Sequence, residues 1–167
     1  MGMLSRLLGY ATRLAPEGVR LDHRHAWIIP ATRDAAALLR ALPILAPDGG
    51  YVYFEDTTES GFASWAREHA VAAPLTVACG TIWPKPDWFH VPLTPSLMEE
   101  AAVLVDQRGI ALPSIHMHVH DGAKVILEWH DAFIDDPMYV SSEISRECVE
   151  AFADRLHVGP VSADDAV

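Results

Sequence analysis

The chain alternates short apolar runs with longer segments in which apolar residues recur every three or four positions. The short runs have the length and composition of strands, and the periodic segments predict amphipathic helices. Strands are predicted at residues 26–29, 51–54, 75–83, 88–91, 115–119 and 124–129. Helices are predicted at residues 3–14, 32–42 and 94–108, and from about residues 60 and 142. The predicted element order is α-βαβαβ-βαββα.

This order predicts an α+β (mixed α/β) fold, with helices packed on a single mixed β-sheet of about five to six strands. The run at 75–83 is almost continuously apolar, so we expect a central strand there, covered on both faces. With 167 residues, half of them hydrophobic, the chain has ordinary single-domain size. We therefore expect one domain over residues 1–167, with an appended amphipathic helix in residues 1–20 and a frayed tail at 159–167.

The helix at 94–108 has the clearest boundaries in the sequence. Thr94 is a typical N-cap and Pro95 suits the first helical position. Gly109 can adopt the left-handed conformation that ends many helices. We therefore expect a positive φ angle at Gly109.

Composition narrows the class of protein. The two cysteines, Cys79 and Cys148, are too few for a disulfide framework and favour a reducing compartment. No apolar run is long enough for a membrane span, and the first residues lack a secretory signal pattern. These features predict a cytoplasmic protein, and the excess of arginine over lysine with abundant alanine suggests a bacterial source.

Charge is distributed unevenly along the chain. The net charge is −11, but residues 1–33 carry +3 and the remainder carries −14. Such an anionic surface repels nucleic acid and attracts a basic protein partner. The motifs of nucleotide binding, serine hydrolysis and dithiol exchange are missing from the sequence. Nucleic-acid binding and these three chemistries are therefore disfavoured.

The densest chemical pattern lies in the hairpin predicted around Asp121 and Gly122. A strict two-residue turn would pair His116 with Leu127 and mix polar and apolar residues on both faces. A turn at His120 and Asp121 with a bulge at Gly122 would instead pair Val119 with Ala123. Patterning favours this second register because it separates an apolar face from a polar face. The polar face would hold His116, His118, Lys124, Ile126, Glu128 and His130.

These histidines predict a metal site as one functional hypothesis. His116, His118 and His130 would be ligands of Zn or Fe, and Glu128 would be the general base of a metal-dependent hydrolase. The alternative is an ordinary solvated hairpin face, which Lys124 favours because its charge would repel a cation. His23, before the first strand, is expected to face water.

The acidic loops give the hypothesis that the sequence favours. If they open on one edge of the sheet, they form an anionic patch with aromatic anchors. The patch would comprise Glu55, Asp56, Glu59, Asp131, Phe133, Asp135, Asp136 and Tyr139. We expect a non-catalytic interaction domain without a cofactor, of inhibitor or immunity type, that binds a basic protein. Acidic loops that merely maintain solubility are the alternative interpretation.

Overall fold

The computed structural model describes residues 18–78, 80–81, 85–132, 136–159 and 162–163. The predicted helix at 3–14 and the residues Cys79, Phe133 and Asp135 lie outside this part of the chain. Of the segment 1–20, the structure describes residues 18–20, which are not helical.

Four α-helices are described, and a polar side chain caps the first turn of each. The helices are α1 (Ala35–Ala41), α2 (Ser60–His69), α3 (Pro95–Arg108) and α4 (Arg146–Arg155). The capping side chains of Asp34, Glu59, Thr94 and Ser145 accept backbone N–H bonds that the helices leave unpaired. Gly109 ends α3 with a φ of 63°, as expected.

Seven strands form one sheet in the order β3-β2-β4-β5-β6-β1-β7. They are β1 (Ala26–Ile29), β2 (Tyr51–Thr57), β3 (Trp88–Pro92), β4 (Ser114–His120), β5 (Val125–Trp129), β6 (Met138–Ser141) and β7 (Ser162–Ala163). The predicted α+β class is confirmed. The sheet was expected to be mixed, whereas all pairings between these strands are antiparallel.

The apolar run at 75–83 does not form the predicted central strand in its described residues. Val77 makes an isolated parallel bridge with Val19, and the remaining described residues of the run join no strand. Val77 and Ala78 are nevertheless buried. The apolar composition therefore reflects a segment that covers a face of the sheet.

Two strands occupy regions in which the sequence predicted no strand. In β6, Met138 and Val140 are fully buried and alternate with half-buried neighbours. This alternation extends over only four residues and follows a run of acidic residues, so the sequence did not predict a strand here. In the predicted tail, β7 pairs with β1.

The hairpin of β4 and β5 has neither of the two registers considered from the sequence. His118 lies opposite Glu128 and Val119 lies opposite Leu127, with an irregularity at His120. The cause is a longer turn, in which the Asp121 carboxylate accepts the backbone N–H groups of Ala123 and Lys124. The predicted division of the hairpin into a polar and an apolar face is nevertheless retained, because the observed register differs from the favoured one by an even number of residues and so keeps the same alternation.

The two faces of the sheet differ in what covers them. The apolar face carries Phe54, Met117, Leu127, Trp129 and Val140, all fully buried in one core cluster with residues of the four helices. The opposite face carries the histidines of β3 and β4. None of the described helices is long and apolar enough to cross a membrane.

Candidate metal centre

A row of polar and aromatic side chains crosses the sheet on the face opposite the helices. His90, Tyr53, His118, Glu128 and Tyr139 are successive cross-strand neighbours on β3, β2, β4, β5 and β6. Directly opposed residues of antiparallel strands have Cβ atoms about 4.5 to 5.5 Å apart, so neighbouring side chains in the row touch. The sheet itself therefore places an imidazole beside a carboxylate.

This histidine-bearing face is buried. His90, His116, His118 and His120 are at most 7% exposed. Two covering segments, residues 18–25 and the described residues 71–78 and 80–81, lie over the face and are joined to each other. Val19 N donates to Thr76 O at 2.8 Å, and Ala78 N donates to Val19 O at 3.1 Å. The hairpin face is thus an interior surface, not the solvated edge that was the alternative interpretation.

The covering segments are also attached to carboxylates of the sheet. Leu21 N donates to Glu128 Oε2 at 2.9 Å. Gly80 N and Thr81 N donate to the two oxygens of Glu55, at 3.0 and 2.6 Å. Each covering segment is therefore anchored by a buried acidic side chain of a different strand.

Three side chains on this face have the geometry of a metal site. His118, Glu128 and His130 each offer one ligand atom, and these atoms lie within 4.8 Å of one another. Two imidazoles and a carboxylate are a common ligand set for zinc and for non-haem iron. All three residues come from the β4 and β5 hairpin, so one local element supplies the whole set.

Two buried nitrogens in and beside this group have no hydrogen-bond partner among the described residues. They are His118 Nδ1 and His23 Nε2. His23 Nε2 lies 3.3 Å from Glu128 Oε1, and its ring stacks on Tyr139 with centroids 4.0 Å apart. An unpaired polar atom in the interior costs about 1 to 3 kcal/mol, so such atoms call for a partner. A cation held by the group would supply a partner to the imidazole of His118.

Glu128 is held as an anion. Although burial by itself raises its pKa, the hydrogen bond from His130, the N–H of Leu21 and the nearby His118 together lower it to about 2. The carboxylate is 1% exposed. Because Leu21 occupies Oε2, the other oxygen, Oε1, faces His23 and His130.

The histidine beside Glu128 is held as a neutral ring. Burial lowers the pKa of His118 to about 3, against the opposing attraction of Glu128. A metal ligand must offer a free nitrogen lone pair, which the neutral imidazole does. The structure thus keeps one imidazole and one carboxylate in the protonation states that bind a metal.

His130 completes the group through two contacts. Its Nε2 lies 2.5 Å from Glu128 Oε1, and its Nδ1 lies 3.4 Å from His116 Nδ1. His116 Nδ1 already accepts the backbone N–H of Asp131 at 3.2 Å. Both contacts of His130 are satisfied when each of its nitrogens carries a proton. A metal ion would displace the proton on Nε2.

His116 was predicted as a metal ligand but lies outside this group. Its Nδ1 is engaged by Asp131 and His130, and Gly80 packs against its ring. Its Nδ1 lies beside His130, apart from the three ligand atoms that come together. Glu128, predicted as the general base, lies within the ligand group. Lys124 was expected beside the histidines, yet it sits on the exposed turn and pairs with Glu143.

The acidic residues of the predicted patch are dispersed. Glu55 is fully buried and binds Gly80, Thr81 and the hydroxyl of Tyr53. Glu59 caps α2 and contacts Arg108. Tyr139 is half-buried against His23, and Asp136 is exposed. The remaining described members, Asp56 and Asp131, both act electrostatically on His116 and therefore share one edge.

Several residues of this face were not singled out from the sequence. His23 was expected to face water, but the sheet order brings its Nε2 beside Glu128, more than a hundred positions away. His90 and Tyr53 lie on separate strands, and only strand pairing aligns them with His118. A usable signal was the alternation in 51–55, where Tyr51, Tyr53 and Glu55 share a face.

Comparison of the chain with protein-family models, with curated proteins and with solved structures finds no match.

Proposed function

We propose that this chain is a metal-dependent protein that binds one zinc or iron(II) ion through His118, Glu128 and His130 and uses it in a hydrolase-type reaction. The observation that carries the proposal is the buried, unpartnered Nδ1 of His118, adjoining a buried carboxylate and a second imidazole. Stability alone does not account for this arrangement, because an apolar side chain at 118 would avoid the cost of an unpaired nitrogen.

Three protein ligands favour a reactive site over a purely structural one. Structural zinc sites have four protein ligands, whereas catalytic sites keep a position for water. The ion would lower the pKa of a bound water and so supply a nucleophile near neutral pH. The side chains of His23 and His130 are 40% and 29% exposed, which gives this side of the group access from solvent.

His23 takes the role of proton acceptor in this proposal. Its unpartnered Nε2 lies 3.3 Å from the Glu128 oxygen that faces the ligand group. This role replaces the one first assigned to Glu128, which serves as a ligand. An imidazole positioned this way contributes to proton transfer by typically ~10²- to ~10⁴-fold.

Metal binding is tested by titrating chelator-treated protein with zinc and with iron(II) under reducing, anaerobic conditions. We expect one equivalent to bind to the wild type, and uptake to be lost in His118→Ala and in His130→Ala. His25→Ala is the matched control, because His25 is exposed and remote from Glu128 in the hydrogen-bond pattern. Circular dichroism checks that each variant folds. His130→Ala should disturb the fold less than His118→Ala, since His130 is only partly buried. Undiminished uptake in both ligand variants would contradict the assignment.

The role of His23 is tested separately by hydrolysis of an activated ester, 4-nitrophenyl acetate, with zinc-loaded protein. His23→Gln should retain one equivalent of zinc while hydrolysis above the metal-free background falls at least ~10-fold at neutral pH. Loss of zinc from this variant would make His23 a ligand. Equal hydrolysis with and without zinc in the wild type would argue against hydrolytic chemistry.

Recognition of a basic protein is the second candidate function, and one observation favours it. Because β2 and β5 are both antiparallel to β4, they end at the same edge of the sheet, where Asp56 lies in the last part of β2 and Asp131 lies just after β5. Both aspartates have positive φ angles, of 59° and 46°. Strained backbone of this kind is often retained for function.

The double variant Asp56→Asn and Asp131→Asn tests this second candidate, because asparagine tolerates the left-handed conformation and removes the charge. The probe is a cationic protein, hen lysozyme, in a salt series. We expect the double variant to weaken wild-type binding and flatten its salt dependence. Glu147→Gln with Glu150→Gln is the control, since it removes two exposed charges from α4. If both double variants weakened binding equally, net charge alone would account for the interaction.

A further inference from the structure

A cavity of about 170 Å³ lies beside the histidine row, on the side away from Glu128. Tyr53, Trp88 and His90 contribute from β2 and β3, and residues 73, 75, 76 and 77 contribute from a covering segment. The proposed metal chemistry uses none of these side chains. An apolar cavity of about 150 Å³ is large enough to bind benzene, so this one has room for a single-ring molecule.

The lining is mostly aromatic and aliphatic, and its polar side chains are those of Tyr53, Thr76 and His90. Tyr53 directs its hydroxyl to Glu55 Oε2 at 3.1 Å and presents its ring to His90, with centroids 5.0 Å apart. Trp88 packs its edge against His90 at 5.7 Å and is 43% exposed. The cavity thus combines apolar walls with a ring that reaches the surface.

The hydrogen-bond direction at His90 follows from its neighbours. Gly122 N donates to His120 Nδ1 at 3.2 Å, so in the neutral ring the proton lies on His120 Nε2. That nitrogen lies 2.8 Å from His90 Nδ1 and therefore donates to it. His90 then carries its own proton on Nε2. No described residue hydrogen-bonds to this nitrogen.

The hydrogen bonds therefore run in one direction, from Gly122 N to His120 and from His120 to His90, which leaves the Nε2–H of His90 as a free donor among the described residues. Burial lowers the pKa of His90 and supports the neutral form. Within the described part of the chain, the cavity is bordered by no charged side chain. A charged ligand would lose its hydration without a counter-charge, whereas a neutral acceptor would gain a hydrogen bond.

We infer that this cavity is a binding site for a small, uncharged, single-ring molecule with a carbonyl-type acceptor, which His90 Nε2–H recognises. Tyr53 and Trp88 provide the apolar walls. The site is independent of the proposed metal function, although Tyr53 also contacts His118, with ring centroids 5.4 Å apart.

Binding is tested by titrating ¹⁵N-labelled, chelator-treated protein with benzamide and, separately, with toluene. We expect saturable shifts of the amide signals of residues 73, 76, 77 and 90 with both probes. His90→Phe keeps a ring of similar size but removes the donor. It should weaken benzamide binding about fivefold to tenfold and leave toluene binding within about twofold.

Two further variants separate a specific site from surface adsorption. Ala73→Phe places a ring at the cavity wall, and because Ala73 is exposed the fold should tolerate it. It should abolish binding of both probes. His25→Phe is the matched control and should change neither affinity.

The absence of saturable shifts with both probes up to roughly 10 mM would overturn the inference. Equal weakening of benzamide and toluene in His90→Phe would overturn the role of His90. Zinc uptake is measured on the same sample, and the probes are titrated before and after zinc is added. A failure to bind zinc is thus distinguished from a failure to bind the probes.

Discussion

His118 and Glu128 face each other directly across β4 and β5, each at most 1% exposed. Because the imidazole of His118 is neutral, it does not offset the negative charge of Glu128. The buried carboxylate is stabilised instead by its hydrogen bonds with His130 and with the backbone N–H of Leu21. Burying a charge without sufficient compensation is costly, and a cation bound between the two side chains would remove that cost.

Replacing the carboxylate isolates its contribution to metal affinity. Glu128→Gln keeps the size and an acceptor for the Leu21 N–H but removes the charge. We expect zinc affinity to fall at least ~100-fold, since even residues that only support metal ligands contribute ~10- to ~100-fold. Competition against a fluorescent zinc chelator measures this. Glu143→Gln, at an exposed carboxylate, is the control, and equal affinities of the two variants would contradict a ligand role for Glu128.

Acid should destabilise the metal-free protein well above the range in which carboxylates titrate. Burial lowers the pKa of His118 to about 3 and that of His120 to about 4, from 6.5. The unfolded chain therefore binds protons near pH 6.5 that the folded chain excludes. Stability is fully present above that pH and is lost as the pH falls towards 4. Glu128 acts in the same direction below pH 4.5.

Urea denaturation of chelator-treated protein at pH 7, 6 and 5 measures this loss. Each buried imidazole should contribute on the order of 2 kcal/mol between pH 7 and 5. His120→Gln should show a shallower dependence because one of the excluded protons is gone. A denaturation midpoint that stays constant or rises on acidification would refute the expectation.

Gly80 is required where a covering segment crosses His116. A Cβ atom at this position would lie 2.6 to 2.7 Å from the ring atoms of His116. Gly80→Ala should therefore cost about 1 to 3 kcal/mol and loosen the cover. Gly159→Ala is a matched control, since no described atom lies within 4 Å of its added Cβ. Urea denaturation measures the stabilities of both variants. Equal stabilities would show that the His116 ring moves aside without cost.

In the observed register, Lys124 lies away from the proposed metal ligands and is not expected to affect metal binding. Its ammonium pairs with Glu143 on the exposed turn. Lys124→Ala should change the free energy of unfolding by less than about 1 kcal/mol, as exposed ion pairs usually do, and leave zinc affinity unaltered. A clear gain in zinc affinity would instead indicate that this charge reaches the ligands.

Local patterns were sufficient for much of the fold. Caps and periodicity located α3 and its end at Gly109, and alternation assigned the polar and apolar faces of the hairpin. Alternation could not fix the register, because the number of turn residues depends on the Asp121 side chain. The sequence predicted His118 and His130 as ligands, and the proposed site retains both. It predicted Glu128 as a general base, and the ligand role now proposed for Glu128 depends on the register of the hairpin.

Long-range contacts account for the remaining differences. Nothing local distinguishes an apolar strand at 75–83 from a segment that covers a sheet, since both bury valine and alanine. The position of His23 depends on β1 inserting between β6 and β7. The acidic patch was assigned from charge, and charge does not reveal that Glu55 points inward.

The strand order has a consequence for the sequence of folding events. The proposed ligands His118, Glu128 and His130 lie on β4, on β5 and directly after β5, so their mutual contacts are local, and local contacts are expected to form early in folding. Leu21 meets Glu128 across 107 positions of chain, so that contact requires the closure of a far larger loop. If the proposed site binds a metal, its three ligands are therefore expected to come together, and to be able to take up the ion, before His23 and the covering segment enclose them.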